Sequence, residues 1–251
     1  MNEVEITEAQ VNDLCHMLFE GQVEHGGKPV KREDIIHAIL PGAPRQFDEL
    51  IERTQTRLGE EFGMQLVELP VLPPLDAPGL NARQRKALNK QPDARKVSSR
   101  SYLYVLLDKP GAITGDRLDL CEDDTHLPDE TPQAQEERKK TLGMLFVTLG
   151  MIHLRGKAVG MDELIALFKQ AFGPVPGYEL LVRDVWKRQK YLRVTPLPKS
   201  AAEEMVEEES SGPLVSWGPR AVLEFPVQGV FQALTALFPP DKHELIKKSV
   251  L

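Results

Sequence analysis

Gly27-Lys28-Pro29-Val30-Lys31-Arg32-Glu33-Asp34-Ile35-Ile36 returns 129 positions later as Gly156-Lys157-Ala158-Val159-Gly160-Met161-Asp162-Glu163-Leu164-Ile165. Gly27/Gly156, Lys28/Lys157, Val30/Val159 and Ile36/Ile165 are identical. Glu33/Asp162, Asp34/Glu163 and Ile35/Leu164 keep charge or apolarity. Each copy follows an apolar run with helical spacing and precedes a second, longer one that ends in a strand-like segment. A short match arises by chance, but a match embedded in the same order of elements marks a duplicated module.

Working outward from the first copy, Thr7 is placed to cap a helix whose apolar positions are Val11, Leu14, Cys15 and Leu18. Gly21 and the Gly26-Gly27 pair are the expected stop. Residues 29–40 read as a second short helix with Ile35, Ile36 and Ile39 on one face, closed by Pro41-Gly42. A third helix is expected over 46–62 through Phe47, Leu50, Ile51, Thr54 and Leu58, broken by Gly63. Alternation then predicts strands over 64–69 and 101–108. Three helices followed by a two-stranded wing is the order of a winged helix. The fold class is therefore mainly α, an α+β chain of tandem winged-helix modules.

The first module is expected over 1–110, an acidic linker over 111–132 and the second module over 133–251. The first wing carries an insertion at 72–100, far longer than a usual hairpin loop and expected to be mostly mobile, with a transient helix over 81–90. In the second module, Leu142, Leu145, Phe146, Leu149 and Ile152 predict a very apolar first helix, an apolarity that suggests burial between the modules. Helices over 162–172 and 178–190, strands over 191–197 and 214–225, and a C-terminal helix over 227–237 complete it.

The length of 251 residues accommodates two such cores, and 41% hydrophobic with 27% charged residues is a globular composition. No apolar run is long enough to span a bilayer, and the acidic start Met1-Asn2-Glu3-Val4-Glu5 does not read as a signal or transit peptide. Cys15 and Cys121 are the only cysteines, which favours a reducing compartment and excludes a RING-type double zinc site in the chain itself. The net charge of −7 conceals uneven patches: residues 138–199 hold twelve bases against four acids, so a basic surface is expected in the second module.

No catalytic constellation emerges. The glycines in 150–157 are one residue too far apart for a phosphate-binding loop, and Ala158 stands where Ser or Thr would hold magnesium. Cys15 and His16 are adjacent on a helix, so their side chains diverge by about 100°. The six histidines lack paired metal-ligand spacing. Neither an enzymatic activity nor a cofactor is expected. The binding constellation is Arg183, Lys187 and Lys190 at i, i+4 and i+7 of the second module's third helix, with Arg188 beside them and Asp184 as the opposing acid. Lys and Arg without Asn or Gln predict phosphate contact to duplex DNA with little sequence preference.

Val215-Ser216-Trp217-Gly218-Pro219-Arg220-Ala221 and Phe62-Gly63-Met64-Gln65-Leu66-Val67-Glu68 resemble strings of the MAGE homology domain. Pro29-Val30-Lys31-Arg32, residues 102–107 and residues 143–152 agree in order, so the resemblance runs from about residue 8 to 238. It implies tandem winged helices, which agrees with the duplication. The basic insertion is longer than the wing of typical mammalian members, and at the family's paired-leucine position this chain carries Leu18-Phe19. The compact form is most similar to members that serve as subunits of a DNA-repair SMC complex. That resemblance implies a RING-finger partner at the first module, a kleisin partner at the second, duplex DNA binding and a nuclear, chromosome-associated setting. On this basis the RING-partner surface is expected at Leu14, Leu18 and Phe19, and the kleisin groove at Val230, Phe231 and Leu234. The competing expectations are a free-standing ubiquitin-ligase regulator of the same family and a winged-helix transcription factor.

Overall fold

The computed structural model describes residues 6–23, 27–72, 102–108, 131–196, 213–226, 229–230 and 232. The chain splits into two compact units.

In the first unit, α1 (Glu8–Val23) starts at a reciprocal cap. The Gln10 N–H donates to Thr7 Oγ1 (3.4 Å) and the Thr7 N–H donates to Gln10 Oε1 (2.9 Å), so two end donors are satisfied at once. The helix runs on through Gly21 and ends at Val23, before the Gly26-Gly27 pair. β1 (Val30–Lys31) and α2 (Arg32–Ile39) follow, then a 3-10 turn (Pro44–Gln46) and α3 (Phe47–Glu61). β2 (Met64–Glu68) and β3 (Leu103–Asp108) pair antiparallel, with Leu66 opposite Leu106. Leu14, Ile35, Phe47, Leu50 and Leu58 are each fully enclosed in the core. Each such side chain contributes about 1.5–3 kcal/mol. Arg53 and Arg57 of α3 tie down the start of α1 by donating to the two carboxylate oxygens of Glu8.

The second unit repeats the plan. Thr131 caps α4 (Pro132–Leu154) by accepting from the Ala134 N–H at 3.3 Å. β4 (Ala158–Gly160) and α5 (Met161–Phe172) follow. The third helical stretch comprises α6 (Tyr178–Leu180), a π turn (Leu181–Val185) and α7 (Trp186–Arg188). β5 (Leu192–Thr195), β6 (Leu214–Trp217) and α8 (Pro219–Glu224) complete the ordered plan. Leu145, Leu149 and Ile152 of α4 fill this unit's own core with Leu164, Val182 and Trp186.

Among the described residues each sheet has three strands rather than two, in the orders β1-β3-β2 and β4-β6-β5. The added strand lies inside the duplicated decapeptide. Gly27 (φ +75°) and Gly156 (φ +88°) turn the chain into β1 and β4, and α2 and α5 start directly afterwards. The first N–H of each helix bonds back to the sheet: Arg32 to the Tyr102 carbonyl (2.8 Å) and Met161 to the Pro213 carbonyl (2.9 Å). A repeated string thus encodes a repeated junction. Residues 29–40 are therefore strand plus helix, and the strand expected over 214–225 ends at Trp217. The expected helix over 81–90 and most of the 72–100 insertion and 111–132 linker fall outside the described residues. Of the expected C-terminal helix, Gly229, Val230 and Gln232 are described as helical.

Candidate functional site

The 178–188 stretch buries Tyr178, Val182 and Trp186 and exposes Arg183, Lys187 and Arg188. Burial of the phenol and its Thr148 partner sets one anchor: Tyr178 Oη and Thr148 Oγ1 lie 3.0 Å apart, and desolvation pushes the phenol pKa up to about 12. The π turn breaks the even α-helical spacing assumed for Arg183, Lys187 and Lys190, so these residues do not form a simple stripe. Lys190 lies beyond α7, in left-handed backbone at φ +66°.

More acids face this cluster than Asp184 alone. Arg183 donates from Nε to Glu179 and from Nη2 to Asp162, both at 2.7 Å, and these bonds raise its pKa further. Arg188 donates to Asp184 at 2.5 Å. Lys187 is exposed and forms no ion pair among the described residues. Exposed pairs of this kind are worth about 0–1 kcal/mol, so a phosphate can still recruit the arginines. Lys187 offers its charge at the least cost.

A second constellation was not foreseen as functional. Arg220, in the W-G-P-R-A string, is buried with its guanidinium 4.6 Å from the Tyr191 ring centroid. It donates to Glu224 Oε1 at 2.5 Å, and the Tyr191 hydroxyl donates to Glu224 Oε2 at 2.6 Å. Trp217 Nε1 donates to the Leu149 carbonyl at 2.8 Å, fastening the same turn to α4. Arg and Glu four residues apart in an otherwise apolar helix was the available signal.

Leu14, Leu18 and Val230, expected at partner surfaces, are buried within the chain itself. Leu14 and Leu18 are buried in the first unit's core, because both lie on the stripe of α1 that faces α2 and α3. Phe19 is half-buried and sets its ring edge-to-face against Phe62 at 5.0 Å. Phe62 is 49% exposed and was missed as a surface residue, since in the sequence it reads as the end of a helix and the start of the 62–68 string. Val230 is buried against Phe146, Leu154, Trp217 and Phe225. Phe231 and Leu234 lie outside the described residues.

Burial pushes the Cys15 thiol pKa up, away from thiolate chemistry. Among the described residues no group of His, Cys, Asp and Glu is placed to hold a metal ion.

The family model of the MAGE homology domain matches residues 19–228. Human (Homo sapiens) "MAGE-like protein 2" is 24% identical over 220 residues, which are 85% of this chain and 14% of that protein. This chain therefore spans a small fraction of that relative's length. Among solved structures, a chain of the "Nse1-Nse3-Nse4 complex" has a similar fold, with a TM-score of 0.61 and 18% identity, covering 96% of this chain and 96% of that one. With a family model matched over most of its length, on a fold of two winged-helix units, the chain belongs to the MAGE homology domain family.

Proposed function

We propose that the chain is a non-catalytic scaffold subunit of an SMC-type chromosome-maintenance and DNA-repair complex. In this reading it bridges a RING-finger ubiquitin-ligase subunit and a kleisin subunit in the nucleus and binds duplex DNA without sequence preference. The observation that carries it is the likeness, over nearly the full length of both chains, to a chain of the "Nse1-Nse3-Nse4 complex", together with family membership. On the first unit the exposed Phe62 with Phe19 beside it is the apolar surface offered to the RING-finger subunit. On the second unit Lys187, with Arg183, Arg188 and Lys190, supplies the phosphate contacts.

Affinity purification of the tagged chain from extract of its own cells tests the assignment. SMC, kleisin and RING-finger subunits are expected together. Recovery of a RING-finger ligase with no SMC or kleisin subunit would replace this reading with that of a free-standing ligase regulator. With about four phosphate contacts, the log–log salt slope of DNA binding is expected near −3 to −4.

A further inference from the structure

Two lysines of the second unit occupy left-handed backbone, Lys157 at φ +75° and Lys190 at φ +66°. A residue with a side chain is strained there, and glycine fills such places without strain. Gly156, Gly173 and Gly177 do so in this same unit. Backbone outliers that keep a side chain gather at binding sites.

Sheet register brings the two lysines to one end of the unit. β4 and β5 both run antiparallel to β6, so they start at the same end, and Ala158 and Arg193 both stand opposite Ser216. Strands on either side of a shared neighbour lie about 10 Å apart. Lys157 directly precedes β4, and only Tyr191 separates Lys190 from β5.

The buried Arg220 cluster holds the backbone of Lys190. The Arg220 N–H donates to the Lys190 carbonyl at 3.1 Å, and the Gly218 N–H donates to the Tyr191 carbonyl at 2.7 Å. Gly218 lies so close that a Cβ there would come within 2.8 Å of the Lys190 carbonyl carbon. The Arg220–Glu224–Tyr191 network then fixes the helix that carries these donors. A buried ion pair adds little stability over apolar residues filling the same space. A fully connected one supplies a fixed geometry instead.

Resting on the reading of this unit as DNA-binding, we propose that Lys157 and Lys190 form a paired phosphate-contact site at the end of the β4-β6-β5 sheet, held by Arg220, Glu224 and Tyr191 as positioning residues. The ligand is the sugar–phosphate backbone of a duplex.

Fluorescence anisotropy of the full chain with a labelled duplex of mixed sequence, across a salt series, tests both parts. Lys157→Gln and Lys190→Gln each weaken binding to every sequence and reduce the salt slope by about 0.9. Glu224→Gln keeps every lysine, yet weakens binding and reduces the slope in the wild-type background and adds nothing in the Lys190→Gln background. Tyr191→Phe, which removes only a hydroxyl, behaves likewise and serves where Glu224→Gln does not fold. Equal weakening by Glu224→Gln or Tyr191→Phe in both backgrounds overturns the positioning role. If Lys187→Gln weakens binding while the variants at 157 and 190 leave affinity and slope unchanged, the pair is overturned, while the unit still binds DNA through Lys187 without Lys190. No binding by the wild-type chain overturns both.

Discussion

His153 shows how one buried side chain couples the second unit to pH. It lies in the core at the end of α4, its Nε2 has no hydrogen-bond partner, and its ring sits 5.9 Å from that of Trp217. Burial, with a smaller contribution from Lys157, pulls its pKa below the ordinary 6.5. Between the folded and unfolded pKa values the unfolded chain binds a proton that the folded chain refuses. Stability is therefore full above about pH 6.5 and falls as pH drops through the folded value. Thermal melts across this range are expected to show a steeper acid loss for the wild type than for His153→Leu. Gly218 is a second single-residue constraint. An added Cβ would overlap the Lys190 carbonyl and lie 2.9 Å from the Tyr191 carbonyl carbon, all backbone atoms. Gly218→Ala is expected to cost about 3 kcal/mol, read as a lowered Tm. The same scale separates the first unit's leucines from its aromatics. Leu14→Ala removes a fully enclosed side chain and is expected to cost about 2–5 kcal/mol in chemical denaturation. Phe19→Ala gives up an edge-to-face pair and the burial of a half-buried ring, and is expected to cost about 2 kcal/mol.

Among the elements, α1 depends on its cap, and Thr7→Ala is expected to lower stability by about 1 kcal/mol in the same denaturation experiment. That cap was readable in advance, because Thr and Gln at the required spacing precede an apolar helical stripe. So were α3 and the pairing of β2 with β3, where period and turn signals agree. β1 and β4 were not, since two or three residues are too few for alternation to show. The strand ending at Trp217 was read too long because Val222, Leu223 and Phe225 continue its apolar character, whereas Gly218-Pro219 starts α8. Nor does any residue pattern announce the π turn. The candidate site was legible as a set of charges but not as a set of partners: Asp162, which engages Arg183, comes from another helix 21 residues away in sequence. That pairing sets an order of effects. Lys187→Gln is expected to weaken duplex binding more than Arg183→Gln in an anisotropy titration, because Arg183 must give up two carboxylates before it meets a phosphate.

Across the whole molecule, two units of one plan have diverged in surface charge. α3 carries Asp48, Glu49, Glu52, Glu60 and Glu61 against Arg53 and Arg57. The equivalent 178–188 stretch carries Arg183, Lys187 and Arg188 against Glu179 and Asp184. On the proposed reading, a phosphate backbone avoids the first surface and meets the second. This asymmetry favours a division of labour: a protein partner on the first unit, where Phe62 is exposed, and DNA on the second. It also disfavours a sequence-reading transcription factor, whose paired recognition helices would both face bases. The central claim is that one chain bridges two different partners at once. Light scattering coupled to size exclusion, on the chain mixed with the RING-finger and kleisin subunits of the proposed complex, tests it most directly. The account predicts one species whose mass is the sum of all three chains. Two separate binary species, with each partner displacing the other, would contradict it.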